Sequence, residues 1–386
     1  MRVALVIGDY DAVGGGAERW TDLHARRLLD RGFEVHLIAR RFRDAPDDAT
    51  CHYIQRQLWG RRRIGFGRAV EQLLADQSFD IVHDMGDGWA ADILMPHYGT
   101  RKGIIEQTIR LKHPVVRWFR MMSNPLLPRY LEFAALERRK YGHSERMLVL
   151  AVSHMVGENL QRFHGVPQDR IRVIHNGVDI HHFKPSEDDA SRQNTLSQLG
   201  VQTGETLFLI VTHDFRRKGL DVLVKAMGRL VEAGHKARLL VVGTGEIARY
   251  KRLASKFGAG DAVRFIGDQH DPLSYYHAAD VFVLPTYYDP CSLVVLEALA
   301  CGLPVITTKV NGVHEFMEQE RDGFVMSDPE ALEELVSYMT TLLDPDRRAE
   351  ASRAARALAE QHTVERNCDE HVGVYEEVIQ ARQNAG

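Results

Sequence analysis

The sequence predicts two doubly wound α/β domains in tandem, and three observations predict them. Short continuous apolar runs alternate with helix-length amphipathic segments almost from end to end, the pattern of parallel strands buried on both faces by crossover helices. Glycine-bearing turns follow several of the runs, as strand-to-helix connections require. The chain has 386 residues, too many for one ordinary core and enough for two of roughly 180 residues.

The first run, Val3 to Ile7, leads through Gly14, Gly15 and Gly16 into Trp20, Leu23, Leu28 and Leu29 at helical spacing, and Gly32 marks the stop. This is a strand, a glycine turn and a helix. Further strands are expected at 35–39, 80–83, 93–96, 147–152 and 172–175. Residues 184–206 are polar and turn-rich and read as a linker and entry segment. From Leu207 the alternation resumes, with strands expected at 207–211, 238–242, 263–266, 281–284 and 305–307, and helices over 220–230 and 292–301. The expected division is a first domain over 1–183, the linker, a second domain over 207–365, and a C-terminal helix over 366–386 placed to cross back to the first domain. Open parallel sheets bind ligands outside the carboxyl ends of their strands, so two such domains facing across a cleft are expected to hold a site there.

Composition narrows the class. Hydrophobic residues at 44% and charged residues at 26% are the proportions of a soluble globular protein, and no low-complexity tract or short repeat interrupts them. The apolar run before Gly8-Asp9 is too short for a signal-peptide core or a membrane span. Cys51, Cys291, Cys301 and Cys368 show no Cys-x-x-Cys spacing, so neither a disulfide framework nor a zinc site is expected, and a reducing cytoplasm fits. The net charge of −4 conceals an asymmetry: residues 1–183 hold 27 Lys and Arg against 22 Asp and Glu, a net of +5, and the remainder holds 22 against 31, a net of −9. The stretch 49–70 contains Arg56, Arg61, Arg62, Arg63 and Arg68 without an acid, and 107–131 contains Arg110, Lys112, Arg117, Arg120 and Arg129 without one. An anionic partner is expected against the first domain. No nucleic acid partner is expected.

The most informative segment runs from Tyr288 to Pro304. A strand ends at Pro285, a loop carries Asp289, and Ser292 stands where it would cap a helix that stops at Gly302. The amides of Ser292, Leu293 and Val294 and the helix dipole would make an anion site suited to a diphosphate. Glu297 lies five residues along, roughly 7 Å at 1.5 Å per residue, near the reach from a diphosphate to ribose hydroxyls that a carboxylate can accept. Its neighbours from Leu293 to Ala300 are all apolar, so a freely solvated position is not expected. Gly15 and Gly16 would let backbone approach a phosphate or sugar at a helix start. Arg217 and Lys218 follow a strand and precede Gly219, where two cations could stabilise a leaving diphosphate. The histidines, His181 and His182 included, lack metal spacing with a third ligand.

Asp289 and Glu297 stand in the two acidic places of a Glu-x7-Glu motif, and the segment resembles that motif of the family 4 glycosyltransferases. The resemblance covers nearly the whole chain. Gly14-Gly-Gly-Ala-Glu18 resembles the glycine loop of the first domain, and His175-Asn-Gly-Val-Asp179 with Phe183-Lys-Pro185 resembles the segment leading to the hinge. His213-Asp-Phe-Arg-Arg-Lys-Gly219 is similar to the basic donor loop, and Val242-Gly-Thr-Gly-Glu246 to the loop near the base. Within the family the pattern is most similar to the lipopolysaccharide core glucosyltransferase branch. The resemblance implies a GT-B fold, two Rossmann-like domains facing across a cleft, and a transfer with retention of anomeric configuration from a nucleotide-diphosphate sugar, expected to be a UDP-sugar, to a glycan or glycolipid of the cell envelope. It implies donor contacts by Gly15, Gly16, Arg217, Lys218, Gly243, Ser292, Leu293, Val294 and Glu297, and catalytic roles for His97, Asp289, Arg217 and Lys218. His97 would touch the transferred sugar, and Asp289 its ring hydroxyls, with one methylene fewer than the commoner Glu. No metal and no other cofactor is implied.

Rival readings are separable. A nicotinamide oxidoreductase needs its glycines immediately after the first strand and an acid at the end of the second; here the glycines come seven residues after Ile7 and the second strand ends in Ala39-Arg40. A nucleotide-sugar epimerase of the same architecture, or a non-catalytic glycan-binding protein, remains as the alternative. On the acceptor side the run from Val115 to Met122, with Arg117, Trp118, Phe119 and Arg120, combines cations with aromatic groups. Peripheral docking on the inner face of the cytoplasmic membrane, through anionic lipid or a phosphorylated glycolipid, is expected from it.

Overall fold

A computed structural model describes residues 1–54, 63–111, 128–142, 146–186 and 188–385. It divides into two compact units, Met1–Asn176 with Val364–Gly386, and Gly177–Thr363.

In the first unit the strands are β1 (Arg2–Val6), β2 (Tyr10–Asp11), β3 (Glu34–Ala39), β4 (Phe42–Arg43), β5 (Thr50–Tyr53), β6 (Ile81–Asp84), β7 (Ile93–Leu94), β8 (Leu148–Ala151) and β9 (Ile171–Val173). Seven of them form one parallel sheet in the order β5-β3-β1-β6-β7-β8-β9. The winding starts at β1 and proceeds outward on both sides, which makes the sheet doubly wound. Val3, Ala4, Leu5 and Val6 are fully buried because helices cover both faces of a central strand. β2 and β4 form a separate parallel pair. The edge strand β5 reads Thr-Cys-His-Tyr and is half-exposed, so it lacks the apolar run by which its neighbours are legible. The helix Gly16–Asp30 packs against the C-terminal helix Val364–Ala385.

The second unit contains β10 (Thr206–Val211), β11 (Ala237–Val242), β12 (Val263–Gly267), β13 (Val281–Val283), β14 (Val305–Thr308) and β15 (Gly323–Met326). They form a parallel sheet in the order β12-β11-β10-β13-β14-β15, doubly wound from β10. Its helix Leu220–Glu232 buries Leu220, Leu223, Val224 and Met227 on one side, the amphipathic pattern expected at 220–230. The segment expected as a linker carries a helix, Asp189–Gln198, whose start is capped by the Asp188 carboxylate accepting from Ala190 N and Ser191 N. That helix packs on the helix Leu273–Ala278.

Candidate functional site

In the second unit the loop after β10 is built by its own charges. Asp214 accepts from Arg217 N at 3.1 Å and from Arg217 Nε at 3.0 Å; against the upward pull of burial, these bonds hold its carboxyl below the ordinary range. The guanidinium also donates from Nη1 to Tyr288 O at 3.0 Å, and Tyr287 N returns a bond to Arg217 O at 2.8 Å. The loop is thereby fastened to the segment that follows β13. Gly219 makes the close approach feasible: its φ is +77°, and a Cβ there would lie 2.0 Å from Pro285 O. Next to it Lys218 Nζ pairs with Asp289 Oδ2. Both side chains are nearly buried, at 13% and 10% exposure, and burial lowers the Lys218 ammonium from its ordinary range while Asp289 pulls it back up.

Three residues beyond Asp289 the helix Leu293–Ala300 begins at Ser292. The three amides expected to face an anion are corrected to two. Ser292 N donates to Asn311 Oδ1 at 3.3 Å, and the Ser292 side chain makes no cap. Asn311, fully buried, is held by its own bond to Thr307 Oγ1 at 2.9 Å, so it fixes the entry of the chain into the helix and leaves Leu293 and Val294 as the amides on offer. One turn farther on, Glu297 is 2% exposed, in agreement with its apolar surroundings, and its Oε2 accepts from the Tyr276 hydroxyl at 2.8 Å. Gly243 closes the neighbouring corner after β11: at φ +123°, a Cβ would meet Thr212 O at 1.9 Å, so the ends of β10 and β11 pack backbone to backbone. Lys218 and Asp289 are thus in direct contact, Arg217 is fastened next to them on the Tyr288 carbonyl, and Leu293, Val294 and Glu297 lie in the helix that follows.

Gly15, Gly16 and His97 belong to the first unit. Gly15 stands at the start of the helix Gly16–Asp30 in an extended conformation, φ −71° and ψ −177°, which any residue adopts. A Cβ on Gly15 would meet Glu18 Oε2 at 2.8 Å, so the missing side chain makes room for the Glu18 carboxylate, whose Oε1 accepts from the Tyr98 hydroxyl at 2.8 Å. His97 follows β7, is 7% exposed, and lies 4.7 Å from the Trp20 ring. Burial, then His371, pushes its imidazole down to about 3, so at neutral pH it is uncharged.

His97 also borders a cluster that sequence reasoning missed. His24, His83 and His371 are buried within 6.0 Å of one another by ring centroids, and Tyr375 Oη lies 2.7 Å from His24 Nε2 and 2.8 Å from His83 Nδ1. Trp20 Nε1 donates to Asn367 Oδ1 at 3.2 Å, and Asn367 Nδ2 to His175 O at 2.6 Å. The signal was available only in part: His371 and Tyr375 share a helical face four residues apart, but nothing local ties them to His24 and His83.

The expected docking run, Val115 to Met122 with Arg117, Trp118, Phe119 and Arg120, lies outside the described residues, as do Arg56, Arg61, Arg62 and Lys112. Among the described residues no group of three His, Cys, Asp or Glu is arranged to hold a metal ion, and no helix is long and apolar enough to cross a membrane.

Two family models match the chain: Glycosyltransferase Family 4 over residues 14–182 and Glycosyl transferases group 1 over residues 191–358. An uncharacterized glycosyltransferase of Methanocaldococcus jannaschii is 32% identical over 182 residues, 46% of this chain and 46% of its own length. The lipopolysaccharide glucosyltransferase WaaG of Escherichia coli is 29% identical over 234 residues, 59% of this chain and 62% of its own length. The matched regions therefore span about half to three fifths of these relatives. A crystal structure of WaaG superposes with a TM-score of 0.80 at 23% identity, covering 97% of this chain and 99% of that one. HepE of Anabaena, in complex with UDP-glucose, gives 0.72 at 19% identity and full coverage of both chains, 100% and 100%. These likenesses establish the fold as GT-B with two Rossmann-like domains. With the two models falling one on each half and together taking in most of the sequence, the chain belongs to the family 4 glycosyltransferases, with resemblance to the lipopolysaccharide core glucosyltransferase branch.

Proposed function

We propose that this protein is a retaining glycosyltransferase that takes a sugar from a UDP-sugar and transfers it to a glycan or glycolipid acceptor of the cell envelope. The observation that carries the proposal is the nearly buried Lys218–Asp289 pair beside Arg217. Two cations at the carboxyl edge of a parallel sheet, next to a helix start that offers Leu293 and Val294 N–H, suit a diphosphate. The UDP assignment is supported by family membership and by the UDP-glucose complex of HepE; the envelope acceptor is supported by the match to WaaG.

In this mechanism the diphosphate departs as negative charge builds on its bridging oxygen, and Arg217, Lys218 and the helix amides stabilise it. Donors fixed beforehand, as Arg217 is by Asp214, need no reorganisation when the charge forms. The acceptor hydroxyl attacks from the face the diphosphate leaves and passes its proton to a donor phosphate oxygen. Asp289 orients the sugar hydroxyls while Lys218 holds the carboxylate in place. His97, kept neutral by burial, contacts the sugar as a hydrogen-bonding group rather than as a cation. Glu297 accepts the ribose hydroxyls. No step calls for a metal.

Screening UDP-, GDP- and ADP-sugars for thermal stabilisation tests the donor, because bound ligand raises apparent stability by mass action. Turnover with the stabilising donor is then followed by NMR with and without an oligosaccharide acceptor, in excess EDTA. Acceptor-dependent release of UDP, product with the donor's anomeric configuration, and undiminished rate in EDTA are expected. Donor isomerisation without acceptor would assign the chain to the epimerases, and rescue of a dead EDTA reaction by magnesium or manganese would overturn the metal-free mechanism.

A further inference from the structure

The helix Leu273–Ala278 precedes β13 and contributes none of the residues assigned above to the donor. It does carry Tyr276, which is wholly buried. The phenol donates to Glu297 Oε2 at 2.8 Å and stands 3.3 Å from Val294 O. One hydroxyl therefore touches both the carboxylate and the first turn of the helix Leu293–Ala300, the turn that also offers the amides of Leu293 and Val294. The ring is held on its other sides by Phe183 at 6.0 Å and Phe282 at 5.9 Å between centroids, so the hydroxyl has little freedom to move.

A buried phenol tied to a nearly buried carboxylate has two consequences. Hydrogen bonds to an ionised acceptor are roughly twice as strong as neutral ones, and in an apolar setting they fix direction as well as distance. A carboxylate offers about four acceptor positions; with one on Oε2 taken by Tyr276, the plane of the group is set before any ligand arrives. A ribose diol, which donates two hydrogen bonds at a fixed spacing, gains from such preorganisation because no rotamer has to be ordered on binding.

We propose that Tyr276 is a positioning residue for donor binding, acting through Glu297 by fixing its carboxylate plane. This rests on the reading of Glu297 as the ribose acceptor. The test is a double-mutant cycle on the full chain, with the dissociation constant of UDP measured by calorimetry and the melting temperature measured in parallel. Tyr276→Phe removes one oxygen and keeps the ring, and is expected to weaken UDP about tenfold while the KM for the donor rises more than kcat falls. Glu297→Gln is expected to weaken UDP by at least as much. In the Glu297→Gln background Tyr276→Phe is expected to add less than about twofold, since its route to the ligand is gone. A lowered melting temperature with unchanged UDP affinity in Tyr276→Phe would make the tyrosine merely structural and overturn the proposal, and so would fully additive effects. Wild-type UDP affinity in Glu297→Gln would instead overturn the reading of Glu297, and the proposal with it.

Discussion

Acidification is expected to unfold the first unit through its buried imidazoles. His24 comes from the helix Gly16–Asp30, His83 from β6, His97 from the segment after β7 and His371 from the C-terminal helix, and all four are buried. Burial lowers all four, with repulsion from neighbouring imidazoles adding to it for His24, His83 and His97: His97 to about 3, His371 to about 4, and His24 and His83 well below the ordinary value. In the unfolded chain each titrates near 6.5. Below that pH the unfolded state binds more protons than the folded state, so the stability these groups leave intact above pH 6.5 is lost progressively as pH falls toward the folded values. Between pH 7.5 and 5.5 the loss is about 1.4 kcal/mol per imidazole, or about 5 kcal/mol for the four. Asp84 acts in the opposite sense: burial raises it to about 6, so its protonation in the folded state returns about 1 kcal/mol over the same interval. The remainder is comparable with the whole stability of many domains, about 5–15 kcal/mol. Urea unfolding at a series of pH values, with hydrogen exchange resolving peptides from 364–385 and from the second unit, measures the effect. These four imidazoles less Asp84 contribute an uptake of about three protons to the slope of the first-unit transition at pH 5.5. A slope below one proton would refute the reasoning, because the cluster would then already be protonated or solvated in the folded state.

The Lys218–Asp289 pair separates stability from function. Lys218→Ala leaves a nearly buried carboxylate without its cation and is expected to lower the melting temperature and weaken the donor at least about tenfold, or about 1.4 kcal/mol; adding Asp289→Asn is expected to restore most of the melting temperature and none of the affinity, as read by calorimetry with UDP. Gly219→Ala is expected to destabilise the second unit by more than about 1 kcal/mol in urea titration, since its Cβ would strike Pro285 O at 2.0 Å in a left-handed conformation; an unchanged midpoint would show that the loop shifts freely. Binding to anionic vesicles is expected to weaken with salt and with Arg117→Glu plus Arg120→Glu, and equal recovery on neutral and anionic vesicles in sedimentation would refute docking through the run from Val115 to Met122.

The central strands were legible because a strand covered on both faces must be continuously apolar, and Val3–Val6 and Leu207–Val211 are fully or almost fully buried. The edge strand Thr50–Tyr53 was not, because a half-exposed edge takes polar residues. The strand Gly323–Met326 was not read either, being four residues long. The helix Asp189–Gln198 hid in a polar stretch because it buries little, and its clearest local sign is the Asp188 cap. Within the site, the order of motifs placed Arg217, Lys218, Asp289 and Glu297 beside strand ends, since a parallel sheet presents its turns at one edge.

By itself, then, the sequence determined the two doubly wound sheets, the family, and which side chains stand at the sheet edges, all properties carried by residues close together in the chain. The tertiary structure alone decided the partners. Lys218 meets Asp289 across 71 positions, and Asn311 takes the Ser292 amide that a helix start was expected to offer. Tyr276 holds Glu297 from another helix, and residues as distant as His24 and Tyr375 share a hydrogen bond. Local periodicity records which face of an element is apolar; it carries no record of which polar group from elsewhere arrives there, because burial demands only that some partner be found.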